Sequence, residues 1–287
     1  MIQKLYAFVA FIMLFTLISC NEDEYLQVPE LENKELLRII EESGNKGLPF
    51  PEGTKVEKKD DETFTLTLPK GFKYAYYSIA SDGKISPYLE FTDTANVTCS
   101  CTNGTGCSPV KVKGEYYCVM NSDCKSCNLS TSKILNKSKT EIKIVGLINE
   151  SIGISFISDE KSYLTTSEDL IHSYSISSEL IESDFIKKSL MELYSTLYED
   201  KIPPFILRNE EAPSEFVYVK SNLFGNLILL PFPKEEVKTA NLRLEFFDSN
   251  AEVSCSCLSG SKGCTKKGML GAKYCDAGDC RTCKLSD

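Results

Sequence analysis

Thiol chemistry is the one chemistry that residue types and spacing single out in this chain. Two stretches, residues 99–127 and 255–283, each contain six cysteines in the order C-x-C, C, C, C-x-x-C. The outer cysteines are 28 positions apart in both stretches, and the third and fourth are 11 positions apart in both. This matched spacing indicates a duplicated unit, and we call the copies the first and second cysteine modules. The cysteines are Cys99, Cys101, Cys107, Cys118, Cys124, Cys127, Cys255, Cys257, Cys264, Cys275, Cys280 and Cys283.

Disulfide bonds are the use of these cysteines that the composition of the modules favours. The modules are rich in Gly, Ser, Asn and Lys and poor in apolar residues, so they need cross-links to hold a structure. On a strand, Cys99 and Cys101 would point to the same face about 6.6 Å apart, so each must bond a different partner. We therefore predict six disulfides, three within each module and none between modules. The sequence leaves the pairing within each module open.

A soft metal ion is the main alternative for the same residues. C-x-C and C-x-x-C thiolates suit zinc or cuprous copper, and six cysteines without histidine would favour a thiolate cluster. A thioredoxin-like role for Cys124-x-x-Cys127 or Cys280-x-x-Cys283 would need a helix N-terminus to lower the thiol pKa. Neither pair is followed by the histidine of a haem-attachment site. We predict no cofactor.

The first 20 residues resemble the signal peptide of bacterial lipoproteins. Residues 5–18 are apolar except for Thr16, and this run is shorter than the roughly 20 residues that span a bilayer. It ends in Leu17-Ile18-Ser19-Cys20, which is similar to a lipobox. The resemblance implies that residues 1–19 are removed and that acyl chains such as palmitate on Cys20 anchor the protein to a membrane. The alternative is an ordinary signal peptide or anchoring segment that contains a cysteine. Lipidation of Cys20 leaves 12 of the 13 cysteines, an even number that can pair completely.

Two further short motifs resemble signals of lipoproteins from the Bacteroidetes group. The acidic run Asn21-Glu22-Asp23-Glu24 is similar to their surface-export signal, which implies an outward-facing protein of the cell outer membrane. The alternative is a solvated tether on a protein that faces the periplasm. Asp93-Thr94-Ala95 is similar to their O-glycosylation site, which makes Thr94 a candidate acceptor. An exported, cysteine-rich chain agrees with disulfide formation.

Charge and residue types narrow the remaining function classes. The net charge of −9 argues against nucleic acid as a partner. The single histidine, His172, excludes His-pair metal motifs and has no nucleophile-elbow pattern around it, so we assign no catalytic residue. A carboxylate-based hydrolase of surface glycans stays open, because such enzymes need no local motif. Residues 253–287 carry six Lys or Arg and three Asp, which favours an acidic polysaccharide or protein partner.

Hydrophobic patterning predicts a strand-rich α+β fold. Alternating or β-rich segments predict strands at residues 63–68, 73–79, 88–91, 142–148, 154–157 and 227–230. The best helix covers residues 184–198, with Ser183 as its cap and Pro203-Pro204 as its stop.

These patterns divide the chain into five segments. They are the signal peptide 1–19, a lipidated tether with a short helix 20–61, a first β/six-cysteine module 62–130, an intervening α+β segment 131–205 and a second β/six-cysteine module 206–287. The sequence therefore predicts a lipid-anchored envelope protein with a structural, adhesive or ligand-binding role. An enzyme is the second class considered, and a metal-binding protein the third.

Overall fold

The structure is a computed structural model that describes most of the chain beyond residue 46. The described ranges are 47–60, 62–104, 106–112, 115–120, 123–135, 138–156, 176–197, 202–235, 247–248, 254–260, 263–276 and 280–286. All of them belong to the compact unit Arg38–Asp287, and the other unit, Met1–Leu37, lies outside them. Cys20, the acidic export run, the predicted short helix and His172 also lie outside the described residues. Within the described ranges, no helix has the length and apolar character needed to cross a membrane.

Strands dominate the described residues, which confirms the predicted strand-rich α+β class. The strands are β1 (Leu48–Pro49), β2 (Lys55–Lys58), β3 (Thr63–Thr67), β4 (Phe72–Ile79), β5 (Ile85–Thr92), β6 (Thr94–Cys101), β7 (Cys107–Val112), β8 (Glu115–Met120), β9 (Cys127–Leu135), β10 (Ser138–Asn149), β11 (Ile154–Phe156), β12 (Phe216–Leu223), β13 (Asn226–Pro233), β14 (Phe247–Asp248), β15 (Ser254–Gly260), β16 (Thr265–Met269), β17 (Ala272–Asp276) and β18 (Cys280–Ser286). The helices are α1 (Ser178–Ile181), α2 (Asp184–Leu197) and α3 (Pro204–Arg208).

An antiparallel sheet in the order β2-β3-β6-β9-β10-β4-β5 carries the first cysteine module. The predicted alternation in β3 is confirmed for Phe64 and Leu66, which are buried in one apolar cluster, and for Thr63 and Thr67, which are half-buried. Thr65, which was expected on the half-buried side, is itself buried and donates to Asn96 Oδ1. Strand β9 runs past residue 130, the predicted end of the first module, and pairs there with β10. The segment expected to be a tether contributes β1 and β2 at its end, which pair with β8 and β3. Strand pairing thus joins stretches that the sequence assigned to separate segments.

Helix α2 packs on the largest cluster of buried apolar side chains, to which β12, β13 and β17 also contribute, and we call this cluster the central core. Its inward positions Ile186, Leu190 and Tyr194 are each 0% exposed, as expected for one face of an amphipathic helix. The predicted cap is present, because the Ile186 N–H donates to Ser183 Oγ at 3.4 Å. The helix ends at Leu197, and Pro204 is the first residue of α3, where a missing N–H costs nothing. Pro203-Pro204 was predicted only as the stop of α2, but in the structure these two prolines form the start of α3.

A second antiparallel sheet, β11-β12-β13-β17-β16 with β14 beside β12, packs under α2. Strand β13 includes the predicted apolar segment, and its Ile228, Leu229 and Leu230 are at most 1% exposed. The hairpin β16–β17 belongs to the second cysteine module and extends this sheet. The hairpin β16–β17 is thereby part of the central core, whereas the inner hairpin of the first module, β7–β8, has the short β1 as its one further partner among the described strands.

Candidate functional site: the duplicated cysteine modules

Each cysteine module consists of two paired outer strands and one inner hairpin. In the first module β6 pairs with β9 and β7 with β8, and in the second β15 pairs with β18 and β16 with β17. The register of the outer strands is equivalent, since Cys101 lies opposite Cys127 and Cys257 lies opposite Cys283. The inner hairpins also share their register. Pro109 lies opposite Cys118 in the first module, and the equivalent residue Lys266 lies opposite Cys275 in the second. The duplication read from cysteine spacing is therefore also a duplication of topology.

One disulfide occurs at equivalent positions in both modules. Cys99 bonds Cys118 with a Cα–Cα distance of 5.4 Å, and Cys255 bonds Cys275 with a Cα–Cα distance of 5.6 Å. Each bond joins the first outer strand to the second strand of the inner hairpin. These bonds fix the hairpin against the outer pair, which the few apolar residues of the module could not do by packing alone.

Two further disulfides complete the first module. Cys101 bonds Cys124 and Cys107 bonds Cys127, with Cα–Cα distances of 5.8 and 5.7 Å. The neighbours Cys99 and Cys101 thus reach different partners, as their strand spacing predicts. In the second module Cys257 and Cys264 are also disulfide-bonded, whereas the side chains of Cys280 and Cys283 lie outside the described ones. The expectation of disulfides is confirmed for the described cysteine side chains of both modules.

Four sulphurs of the first module lie close together, and we call Cys101, Cys107, Cys124 and Cys127 the sulphur cluster. The Sγ atoms of Cys101, Cys107 and Cys124 are all within 4.8 Å of one another. Across the two bonds, Cys124 Sγ is 3.4 Å from Cys107 Sγ and 3.8 Å from Cys127 Sγ. Cys107, Cys124 and Cys127 are buried, and Cys101 is half-buried. The third bond, Cys99–Cys118, packs beside this cluster with Cys99 0% exposed.

Backbone hydrogen bonds also join the two halves of the sulphur cluster. The Thr102 N–H donates to the Ser126 carbonyl at 2.9 Å, and the Lys125 N–H donates to the Asn103 carbonyl at 3.4 Å. Gly104 has a φ of +111°, and a Cβ at this position would overlap the Asp123 carbonyl oxygen. Only glycine combines this backbone conformation with so close an approach.

Part of the predicted basic patch of the second module is engaged inside the molecule. Lys273 is 6% exposed, with its Nζ 3.1 Å from Glu211 and 4.3 Å from the centroid of the Tyr218 ring. Lys267 Nζ lies 2.6 Å from Asp276. These contacts tie the module to the rest of the core. Sequence reasoning missed the buried lysine, because a lysine in a charged loop is normally solvated.

Burial also affects the tyrosine that precedes the fourth cysteine of the second module. Tyr274 is 1% exposed, and burial, with the nearby Asp276 and Glu182, raises the pKa of this side chain to about 12. Its counterpart in the first module, Tyr117, is also 1% exposed and donates to Glu115. The shared Tyr-Cys dipeptide therefore anchors each hairpin on its inner side.

The candidate acceptor Thr94 is the first residue of β6 and is half-buried. Its Oγ1 donates to the Asp93 carboxylate at 3.2 Å. Thr94 lines a cleft of about 520 Å³ together with Lys73 and Lys133. The other lining residues are Lys59, Thr65, Phe91, Thr92, Asp93, Asn96 and Ile134. Hydroxyl, amide, ammonium and carboxylate groups thus surround this cleft, which is within the size range of ligand sites.

Comparison with known proteins yields no relative of this chain. No protein-family model matches it, and neither does any curated protein or solved structure. Its function has to be inferred from its own residues and geometry.

Proposed function

We propose that this protein is a lipid-anchored component of the bacterial cell envelope, held by acyl chains on Cys20 and facing outward from the outer membrane. Its role is structural, adhesive or ligand-binding. The observation that supports the structural role is the repetition of one cross-linked strand arrangement with different residues in its loops. The anchor and the outward display rest on the resemblance of residues 1–24 to lipoprotein signals. A cross-linked scaffold requires only its cysteines and their spacing, and disulfides persist outside the cytoplasm.

An acidic polysaccharide is the ligand that we propose for the cleft beside Thr94. Lys133 is half-buried, its Nζ lies 3.4 Å from the Tyr76 hydroxyl, and it has no carboxylate partner among the described residues. The buried side chains of Thr65 and Asn96 form part of the lining, and Thr65 Oγ1 donates to Asn96 Oδ1 at 2.7 Å. Lys73 is held at the same cleft by Glu150 at 2.8 Å. Among the described residues, the cleft therefore offers one ammonium group without a carboxylate partner, together with the exposed Asp93 carboxylate and several hydrogen-bonding side chains.

Replacing the proposed lipidated residue tests the anchor. We expect Cys20→Ser to abolish incorporation of a labelled fatty acid and to release the protein from the membrane fraction, because the acyl chains supply the anchoring energy. Ser19→Ala is the matched control, since alanine is also small and should preserve processing. Unchanged labelling of Cys20→Ser would contradict the proposal.

Replacing the acidic run tests outward display separately from lipidation. Changing Glu22, Asp23 and Glu24 together to Ala should preserve fatty-acid labelling but reduce antibody binding to intact cells. The control changes Glu30, Glu32 and Glu35 to Ala, which removes the same charge elsewhere in the tether. Equal surface display of both variants would show that residues 21–24 are only a tether.

Binding of polygalacturonate tests the cleft directly. Lys133→Ala should weaken binding and lower its dependence on salt, since one ammonium group is lost. Lys84→Ala is the control, because Lys84 pairs with Asp82 at an exposed turn and does not line this cleft. Equal affinities of the two variants would exclude the cleft as the site.

A further inference from the structure

We propose that the sulphur cluster of the first module is a redox-dependent metal site that binds one tetrahedral soft ion, with Zn²⁺ as the test ion. In its oxidised state the cluster contains the bonds Cys101–Cys124 and Cys107–Cys127. In its reduced state the same four sulphurs act as thiolate ligands. The Cys99–Cys118 bond stays closed in both states. This inference does not depend on lipidation or on surface display.

Two non-bonded pairs of these sulphurs already have separations close to those of a tetrathiolate site. A tetrahedral ion with Zn–S bonds of about 2.3 Å requires its sulphurs to be about 3.8 Å apart. Cys124 and Cys127, the C-x-x-C pair, already have this separation at 3.8 Å, and Cys124 and Cys107 are 3.4 Å apart. To reach the separation that Zn–S geometry sets, the two bonded pairs have to open. The sulphur of Cys127, which is not among the three within 4.8 Å of one another, has to move towards that of Cys101 on the facing strand.

The backbone keeps the ligands in place once the two bonds are broken. Cys101 and Cys127 lie directly opposite each other on β6 and β9. The hydrogen bonds of Thr102 and Lys125 hold the loops that follow Cys101 and precede Cys127. The retained Cys99–Cys118 bond fixes the hairpin that begins at Cys107. A site that is already organised in this way loses little entropy when the ion binds.

Differences in burial decide which bonds open first. Cys101 is half-buried, so the Cys101–Cys124 bond exposes a sulphur that an external thiolate can attack. Cys99 and Cys118 are 0% and 3% exposed, and their bond is shielded on both sides. Cys107 and Cys127 are 5% and 4% exposed, so burial singles out only the Cys101–Cys124 bond as the one that opens first. Its opening frees the Cys124 sulphur, which lies 3.4 Å from Cys107 Sγ, and the Cys107–Cys127 bond opens after it.

The proposed redox step uses a small dithiol as reductant. A dithiol thiolate attacks Cys101 Sγ, the S–S bond breaks, and Cys124 leaves as a thiolate that takes up a proton. The second thiol of the reductant then displaces Cys101, and the reductant leaves as a cyclic disulfide. Reduction of both bonds consumes two dithiols and transfers four electrons and four protons. A bound Zn²⁺ then replaces the four thiol protons.

The test uses the full mature chain, reduced stepwise with dithiothreitol without oxygen and then mixed with Zn²⁺. Differential alkylation and peptide mass analysis report each cysteine separately, so the first module is distinguished from the second. We expect Zn²⁺ to protect Cys101, Cys107, Cys124 and Cys127 from alkylation, with one retained ion for these four residues. Peptides that contain Cys99 and Cys118 should stay linked.

Two double variants identify the ligands. Cys124→Ser with Cys127→Ser should remove the protection of Cys101 and Cys107 and lower zinc retention by at least about tenfold, since even a lost supporting contact costs that much. Cys280→Ser with Cys283→Ser, the same two positions of the second module, is the matched control and should leave the protection of Cys101 and Cys107 unchanged. Equal alkylation with and without Zn²⁺ would overturn the proposal. So would loss of Cys99–Cys118 before the four thiols are free, or protection that survives in the first variant.

Discussion

At the scale of single residues, the equivalent bonds Cys99–Cys118 and Cys255–Cys275 define how the other cysteines can pair. In the first module, Cys101 lies opposite Cys127 but bonds Cys124, because the outer strands and the loop between them bring residue 124 back to β6. The second module has the same strand register and the same first bond. The same geometry therefore predicts the same connectivity in both copies.

The second module provides a test of this equivalence. We expect Cys257–Cys280 and Cys264–Cys283, the counterparts of Cys101–Cys124 and Cys107–Cys127. Peptide mapping of the protein, digested without reduction, measures the linkage directly. A Cys257–Cys283 link is the competing outcome, because these residues lie opposite each other on β15 and β18. Its detection would show that the shared register does not determine the pairing.

Buried tyrosines make stability depend on alkaline pH. Burial alone raises the pKa of Tyr116 to about 12, and its ring packs against Phe50 and Phe64 at centroid distances of 4.6 Å. The folded state therefore retains this proton at a pH at which the unfolded chain, with a tyrosine pKa of about 10, loses it. The resulting stabilisation is complete below pH about 10 and is lost as the pH rises through about 12.

The variant Tyr116→Phe isolates this effect. It preserves the ring packing but cannot ionise, so the free energy of unfolding should fall less steeply between pH about 10 and about 12. Urea unfolding at several pH values measures the slope. Tyr88→Phe, at a side chain that is 76% exposed, is the matched control and should leave the curve unchanged. Equal slopes for Tyr116→Phe and the wild-type protein would contradict the assignment.

At the scale of elements, local patterns predicted the elements that bury one face. The alternation of Phe64 and Leu66 indicated β3, and the spacing of Ile186 and Leu190 indicated α2, because each element carries its own period. Pairing between distant elements was not predictable in this way. The insertion of β17 next to β13 depends on a contact between Leu229 and Lys273 that leaves no local signal.

The same limit applies to the candidate site. Cysteine spacing predicted the modules and the separate partners of Cys99 and Cys101. It did not predict the connectivity, since chain direction and strand register decide which sulphurs meet. The bulge in β10 shows a similar limit: Gly146 lies under α1, where a Cβ would be 2.6 Å from Leu180 Cδ2. Nothing next to Gly146 in the sequence identifies that contact.

Helix α2 provides a stability test at this scale. Leu190→Ala removes a side chain that is 0% exposed and should lower the free energy of unfolding by about 2–5 kcal/mol through the cavity it leaves. Met191→Ala, one position along and 38% exposed, should change it by no more than about 0.5 kcal/mol. Urea denaturation compares the two variants. Similar losses would show that α2 does not cover the core as described.

At the scale of the whole molecule, the two modules share a topology but have different surroundings. Cys275 is 6% exposed and lies in the central core with Ala272 and Tyr274. Cys99 and Cys118 pack mainly with the other cysteines of their own module. One bond therefore links a module to the central core, and its counterpart lies in a separate cluster of cysteines within the first module.

Removing each of these bonds separates the effect of the cross-link from the effect of its surroundings. The bonds span 19 and 20 residues, so the chain-entropy model gives both about the same contribution through the unfolded state, roughly 3 kcal/mol. We expect Cys255→Ala with Cys275→Ala to lower the free energy of unfolding by more, because this variant also opens a cavity in the central core.

Hydrogen exchange should show where each bond acts. In Cys255→Ala with Cys275→Ala, exchange should accelerate in α2, β12 and β13. The variant Cys99→Ala with Cys118→Ala should accelerate exchange only in β6 to β9, because its cysteines lie outside the central core. Equal acceleration of α2 in both variants would mean that the first module is coupled to the central core as tightly as the second.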